Sequence, residues 1–203
     1  MEKKDWLGDY NSIYKILGAS NHTARTRECD DYYATDPSAI DSLVANISLP
    51  QKIWECACGE GHLSERLKSL GYTVFSSDLV DRGYGIGGVN FLLSKEIPHD
   101  VTCILTNPPY RYAAEFVIHA LHLLPANGLC CMFLKTLFLE GKARYDKIYS
   151  ITPPKFVFQF SSRVLCAKNG DFDKMRASGG SAISYAWFVW EKGYVGDTVI
   201  RWI

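Results

Sequence analysis

Four consecutive residues, Asn107, Pro108, Pro109 and Tyr110, combine the groups needed to bind an amine. The Asn107 side-chain oxygen and the Pro108 carbonyl are hydrogen-bond acceptors. Pro109 has no N–H and a fixed φ, so the turn is stiff. Tyr110 offers a flat face that can stack on an aromatic ring. This set of groups would hold a planar molecule that carries an exocyclic –NH2 group.

Such a turn could also activate the amine. The lone pair of an aryl amine is delocalised into its ring and is a poor nucleophile. Two acceptors placed off the ring plane favour a pyramidal nitrogen and direct the lone pair outward, which stabilises the transition state more than the ground state. Asn-Pro and Pro-Pro are also frequent in ordinary turns, so the surrounding elements must decide.

A second candidate group is the glycine turn in "ECACGEGH", with Gly59 and Gly61 in G-x-G spacing. It follows a short apolar run and precedes a helical pattern, where glycines let a ligand approach the backbone. Asp78 comes about 20 residues later, a position from which a carboxylate can accept hydrogen bonds from ribose hydroxyls. Glu55 adds a second acid, and two acids suit a cationic amino group better than a pyrophosphate. The missing third glycine and Glu55 therefore argue against a nicotinamide cofactor.

The elements around these groups alternate between strand and helix. Apolar runs predict strands in "KIWECA", "YTVFSSD", "VTCILTN" and "GLCCMFLK". Helices are predicted in "DPSAIDSLVANI", "GHLSERLKSLG", "YAAEFVIHALHLL" and "TLFLEGKARYDKIYS", the second of them with Leu63, Leu67 and Leu70 on one face and Gly71 at its C′ position. "KFVFQF" and "SAISYAWFVWEKG" read as two further strands.

This alternation predicts an α/β fold, a Rossmann-like doubly wound and mostly parallel sheet with a C-terminal antiparallel strand pair. Ligands of such sheets bind outside the carboxyl ends of the strands, near the point where the strand order reverses. The predicted strands place Asn107, Gly59 and Asp78 at that edge.

Composition is that of an ordinary globule: 203 residues, 47% apolar, 22% charged and zero formal net charge. Zero net charge argues against a strong non-specific nucleic-acid binder and is compatible with a local basic groove. The seven cysteines lie mostly in apolar runs, which favours reduced thiols in a cytoplasmic protein. The C-x-C pair at Cys56 and Cys58 has no second pair at metal-site spacing, so no metal is predicted. Neither a signal peptide nor a membrane-spanning segment is expected.

The collected motifs resemble the class I S-adenosylmethionine-dependent methyltransferases, in particular the DNA adenine enzymes that methylate an amine. "ECACGEG" looks like their first motif, Asp78 like the second and "NPPY" like the catalytic motif. "YYATDP" at 32–37 resembles their upstream segment, which helps to hold the methionine part of the cofactor. "FLEGKARY", "RVLCAKNGDF" and "AWFVWEKG" are similar to a compact methylase-like family of bacterial and phage genomes.

The resemblance implies that S-adenosylmethionine is the cofactor and that the chain has the class I methyltransferase fold. Asn107 and the Pro108 carbonyl would hold the amine, and Tyr110 would stack on a flipped base. Asn90 stands where many relatives have an aspartate that accepts from the cofactor's adenine amine. The implied cofactor-binding residues are Tyr33, Thr35, Glu55, Cys58, Gly59, Gly61, Asp78, Asn90 and Phe91.

The predicted reaction is direct methyl transfer to N6 of adenine in DNA, with the base flipped out or single-stranded. No cysteine is expected in the catalytic turn, so thiolate attack on cytosine is not the expected route. DNA is favoured over RNA. An RNA base amine, a protein glutamine amide and a non-catalytic cofactor-binding module are the alternatives.

One domain, 1–203, is predicted, with 1–50 as a helical segment that closes over the cofactor. The 161–180 segment is predicted to be a long loop, and a separate target-recognition domain is not expected. Residues predicted to contact the nucleic acid are Phe160, Arg163, Lys174 and Arg176.

Overall fold

The computed structural model describes residues 33–168, Phe172 and 183–203. They form a seven-stranded mixed sheet with helices on both faces and a separate sheet of two strands. The strands are β1 (Tyr33–Thr35), β2 (Lys52–Glu55), β3 (Thr73–Ser76), β4 (Cys103–Thr106), β5 (Leu129–Lys135), β6 (Phe156–Gln159), β7 (Cys166–Lys168), β8 (Tyr185–Glu191) and β9 (Val199–Trp202). The α-helices are α1 (Ser38–Val44), α2 (His62–Ser69), α3 (Ala113–Leu123) and α4 (Lys142–Arg144). Short 3-10 turns span Phe91–Leu93, Tyr110–Tyr112 and Thr136–Leu139, and a π-helical turn spans Tyr145–Tyr149.

The main sheet has the strand order β3-β2-β4-β5-β8-β6-β9. Strands β3, β2, β4 and β5 are parallel to one another, and β8 is antiparallel to both β5 and β6. The chain runs outward from β2 to β3 and then returns to place β4 on the other side of β2. The strand order therefore reverses between β2 and β4, and a crevice forms outside their carboxyl ends.

Strand β5 shows why the sheet is covered on both faces. It reads as a continuous apolar run because alternate side chains enter two different cores. Cys130, Met132 and Leu134 pack with α3 on one face, whereas Cys131 and Phe133 pack on the other face with α1 and α2. Trp187 and Trp190 on β8 are fully buried, one in each core. The predicted doubly wound sheet is confirmed.

A second, two-stranded sheet lies outside the main one, and we call it the small sheet. It consists of β1 and β7, which are antiparallel and place Thr35 opposite Cys166. Neither strand was expected: Tyr33–Thr35 fell in the predicted helical segment 1–50, and Cys166–Lys168 fell in the predicted loop 161–180. The prediction of a continuous loop is wrong at these three residues.

Two other local predictions fail, and one strand was missed, for physical reasons. The predicted helix in 136–150 is broken because Gly141, at φ 123°, separates a 3-10 turn from α4. Leu70, predicted on the buried face of α2, is its C-cap and is 40% exposed. Strand β9 was not predicted, since its residues are exposed and show no buried alternation. Gly71 does follow the α2 C-cap at φ 93°, as the sequence indicated.

Candidate active site

The glycine turn connects β2 to α2 at the carboxyl edge of the sheet. Gly61, at φ 85°, is the N-cap of α2 and lies against the ring of Tyr84. A Cβ at this position would come within 2.5 Å of three ring carbons, so a larger residue would displace the ring. The Tyr84 hydroxyl donates to Glu65 (2.6 Å) and accepts from Lys68 (2.8 Å), both on α2. The loop after β3 is thus fastened to the start of α2.

Asp78 follows β3 and lies beside the glycine turn, as predicted. Its Oδ2 accepts from the Gly59 backbone N–H (2.8 Å). Its Oδ1 accepts from the Val80 N–H (2.9 Å) and from Arg82 (3.1 Å). Because the carboxylate is buried, these three donors replace the water that an exposed acid would bind.

Glu55 lies under the turn and does not face a ligand as a free carboxylate. It is buried and accepts a hydrogen bond from the Ser64 hydroxyl, which is also 2.6 Å from the Ser76 hydroxyl. Burial raises the pKa of Glu55 to about 8. The expectation that two ionised acids face a cationic amino group is therefore not supported at Glu55.

Cys58 also turns away from the crevice. Its thiol points toward the Tyr84 carbonyl (3.7 Å), and burial raises its pKa to about 12. The Cys58 side chain therefore packs against the loop after β3.

The Asn107 side-chain amide lies at the same edge, and its nitrogen is held by the small sheet. Its Nδ2 donates to the Tyr33 carbonyl (3.1 Å) and to Thr35 Oγ1 (2.8 Å), and it lies 3.5 Å from Cys166 Sγ. The Tyr33 carbonyl can only accept, so the nitrogen must face it and the amide orientation is fixed. Asn107 Oδ1 is buried without a hydrogen-bond partner among the described residues.

Tyr110 lies next to this amide in a cluster of aromatic rings. Its ring is 6.4 Å from that of Tyr33 and 6.2 Å from that of Tyr185, stacked on both at interplanar angles of 27° and 28°. The ammonium of Lys135, the last residue of β5, lies 4.5 Å from the Tyr110 ring centroid. Burial raises the pKa of the Tyr110 hydroxyl well above its usual value, so the phenol is neutral.

The catalytic turn itself holds no cysteine, but Cys166 of β7 lies beside it. Its Sγ is 3.4 Å from the Tyr110 hydroxyl. Burial raises the pKa of this thiol, which disfavours the thiolate needed to attack a cytosine ring.

Several predicted residues lie elsewhere. Phe91 is in the core against Trp54 and Phe116, and Phe160 packs on Phe133. Both are therefore core residues in this structure. Asn90 is exposed, and its side-chain oxygen caps the following 3-10 turn by accepting from the Leu92 N–H (3.1 Å).

The predicted nucleic-acid contacts are only partly described. Arg163 is exposed just before β7. Lys174 and Arg176 lie outside the described residues. No helix in the described part of the chain is long and apolar enough to cross a membrane. Residues 33–168, 172 and 183–203 contain no cluster of three or more His, Cys, Asp or Glu side chains suited to a metal ion.

The sequence reasoning missed Arg82, Tyr84, Lys135 and Cys166. Tyr84 stands between two glycines shortly after Asp78, a weak signal for a ring packed on a glycine turn. Lys135 ends a predicted strand, which placed it at the correct edge. No sequence pattern indicated Cys166, because only the pairing of β1 with β7 brings it to Asn107.

The residues at this edge can be tested for their fit to S-adenosylmethionine. A carboxylate oxygen offers about two acceptor positions. Asp78 Oδ2 uses one of them, so one ribose hydroxyl can still donate to it. Oδ1 already accepts twice, so a second hydroxyl could bind there only after Arg82 moves. The site therefore fits the ribose through one hydrogen bond in this conformation.

No protein-family model matches this chain, and no curated protein matches it. Solved structures do. A candidate class I S-adenosylmethionine-dependent methyltransferase from Listeria monocytogenes is 11% identical with a TM-score of 0.56, over 95% of this chain and 71% of that one. The modification subunit of a candidate type I restriction enzyme from Vibrio vulnificus is 13% identical with a TM-score of 0.56, over 95% of this chain and 50% of that one. A candidate hemolysin from Lactococcus lactis is 9% identical with a TM-score of 0.57, over 81% of this chain and 91% of that one.

These neighbours carry different names and share few residues with this chain, so their likeness concerns architecture. The parallel strands β3, β2, β4 and β5, the reversal between β2 and β4, and the antiparallel β8 are the features that position the site. The protein has the class I methyltransferase fold.

Proposed function

We propose that this protein is an S-adenosylmethionine-dependent methyltransferase that acts on an exocyclic amine, N6 of adenine in DNA. The observation that carries the proposal is the unpaired, buried Asn107 Oδ1. A buried acceptor without a partner costs about 1–3 kcal/mol, so an N–H donor that reached this atom would bind favourably. Because the atom is buried, neighbouring groups must move to admit such a ligand.

The donor that fits is an amine on a planar ring. Tyr110 is adjacent to Asn107 in the chain, and its ring packs against those of Tyr33 and Tyr185 and the ammonium of Lys135. A base would stack on this ring after one of these neighbours moves aside. Stacking of the base on an aromatic ring would orient the amine. The hydrogen bond that the amine donates to Asn107 Oδ1 would strengthen as the nitrogen becomes pyramidal. When bound, S-adenosylmethionine would supply an electrophilic methyl group on a sulfonium.

Further residues would bind the cofactor from the neighbouring strands. Gly59 and Gly61 allow close backbone approach, and Asp78 would accept from one ribose hydroxyl. Thr106 Oγ1 donates to the Ala57 carbonyl (3.4 Å), which ties the Asn107 turn to the glycine turn. The two halves of the site are therefore held together by the protein before any ligand binds.

DNA is proposed as the substrate because one structural neighbour is a modification subunit of a restriction enzyme. This chain spans half of that protein, which supports a catalytic domain and says nothing of sequence recognition. An adenine inside a duplex could not reach Asn107, so the base must be flipped or single-stranded.

Labelled product analysis tests the proposal. The full chain is incubated with methyl-labelled S-adenosylmethionine and separately with unmodified DNA, RNA and protein, and hydrolysates are examined by mass spectrometry. The expected label is N6-methyladenine from DNA, formed faster on single-stranded DNA. Label confined to cytosine, RNA or glutamine would refute the adenine assignment. Cofactor binding without transfer to any substrate would refute the enzyme and leave a binding module.

A further inference from the structure

Among the described residues, the three polar contacts of the Asn107 nitrogen all come from the small sheet. The Tyr33 carbonyl and Thr35 Oγ1 belong to β1, and Cys166 Sγ belongs to β7. Thr35 and Cys166 are cross-strand partners, so their side chains project to the same face of the pair. Both of them meet at one amide.

This arrangement addresses a difficulty of using an amide as a catalytic acceptor. The terminal torsion of an Asn side chain is broad, and rotation by half a turn exchanges its oxygen with its nitrogen. Asn107 directly follows β4, whose hydrogen bonds hold the backbone and not the side-chain amide. The side chain must therefore be oriented by groups from another part of the chain.

Thr35 and Cys166 are both buried beside the catalytic turn, and Cys166 also links the two ends of that turn. Thr35 is 2% exposed and Cys166 is 3% exposed, so water does not compete for these hydrogen bonds. Cys166 Sγ contacts both Asn107 Nδ2 (3.5 Å) and the Tyr110 hydroxyl (3.4 Å). One side chain thus connects the amide that would bind the amine to the ring that would stack on the base.

We infer that Thr35 and Cys166 are positioning residues, which fix the Asn107 amide with its oxygen toward the acceptor amine. This inference rests on the proposed function for its catalytic consequence. The sequence resemblance implied that Thr35 closes over the cofactor. The structure instead directs its hydroxyl to Asn107.

The first test is kinetic and uses Thr35→Val, which keeps the shape and removes the hydroxyl, and Thr35→Ser, which restores it. Thr35→Val should lower kcat up to about 100-fold, the scale expected when a reacting group is misplaced. KM for DNA and Kd for S-adenosylmethionine should change little, and Thr35→Ser should recover most of the rate. Thr73→Val, on the exposed start of β3, is the matched control and should retain the wild-type rate.

Cysteine variants extend the test to β7. Cys166→Ala should lower kcat with unchanged cofactor affinity, and Cys166→Ser should recover part of it. Cys130→Ala, a fully buried cysteine in β5, should reduce stability without changing kcat. A wild-type kcat in both Thr35→Val and Cys166→Ala would overturn the inference. Equal losses in Thr35→Val and Thr35→Ser would also overturn it.

A measurement without turnover separates this inference from the proposed function. Denaturant titration gives the loss in the free energy of unfolding for Thr35→Val, Asn107→Ala and the double variant. Residues in contact are non-additive, so the double variant should lose less than the sum of the two single losses. Additive losses would overturn the inference. If the wild type methylates no substrate, the proposed function fails, and this cycle still decides whether Thr35 holds the amide.

Discussion

The two halves of the candidate site differ in how their polar atoms are satisfied. At the glycine turn, Asp78 is paired with the Gly59 and Val80 N–H groups and with Arg82, and Glu55 is paired with Ser64. At the catalytic turn, Asn107 Oδ1 has no partner among the described residues. The first half is built to be stable by itself, whereas the second half is left incomplete. A buried polar group without a partner calls for an explanation, and a catalytic role is one of the accepted ones.

The difference predicts that the two halves respond differently to mutation. Residues of the glycine turn should affect folding and cofactor affinity together, because the same hydrogen bonds serve both. Asn107 Oδ1 should affect turnover and not folding, because it makes no hydrogen bond among the described residues. Replacing the whole Asn107 side chain also removes the Nδ2 contacts with β1, so that variant should lose stability as well.

The largest effect is expected for Asn107→Ala. Deleting one preorganised polar group at a reacting centre costs about 10²–10³ in turnover. Cofactor affinity should remain at the wild-type value, which calorimetry with S-adenosylmethionine can check. Asn46→Ala, an exposed asparagine after α1, is the control and should leave turnover unchanged. A wild-type kcat in Asn107→Ala would show that the unpaired oxygen has no part in catalysis.

A smaller effect is expected for Asp78→Ala, and it should appear in two measurements. Hydrogen bonds to a charged group are worth about 1.5–3 kcal/mol, so losing the ribose contact should weaken S-adenosylmethionine binding by that order. The Gly59 and Val80 N–H groups would also lose their acceptor, so the unfolding midpoint should fall. Arg82→Ala should strengthen S-adenosylmethionine binding, because it frees Asp78 Oδ1 for a second ribose hydroxyl. An unchanged Kd in Asp78→Ala would remove this residue from the cofactor site.

The sequence predicted the sheet and its functional edge because those follow from local patterns. Apolar runs of strand length alternate with helical periodicity, and Gly59, Asp78 and Asn107 each stand at the end of such a run. Burial on both faces of β5 was visible as an uninterrupted apolar stretch.

The contacts that orient Asn107 could not be predicted in the same way. Thr35 and Cys166 are 131 positions apart in the chain, and three-residue strands carry almost no periodic signal. Their pairing depends on the tertiary fold and not on the local sequence. The environment of Glu55 was also hidden, since the position of an acid at a strand end does not reveal whether Ser64 of α2 will cover it.

The smallest effect, counted per pH unit, is the change that Glu55 causes in the free energy of unfolding. Burial raises its folded-state pKa from 4.5 to about 8, so the folded protein holds a proton that the unfolded chain has released between these values. The contribution of Glu55 to stability is thus fully present below about pH 4.5 and is lost as the pH rises toward about 8. The loss is at most about 1.4 kcal/mol per pH unit, the value of one pKa unit.

Glu55→Gln cannot titrate, so the free energy of unfolding of the wild type relative to this variant should decline across that window. Glu115→Gln, which removes an exposed carboxylate on α3, is the matched control for loss of charge. Denaturant titrations at several pH values measure the three profiles. Parallel profiles for wild type and Glu55→Gln would mean that the pKa of Glu55 is the same in the folded and unfolded protein, so that the buried carboxylate is ionised at neutral pH.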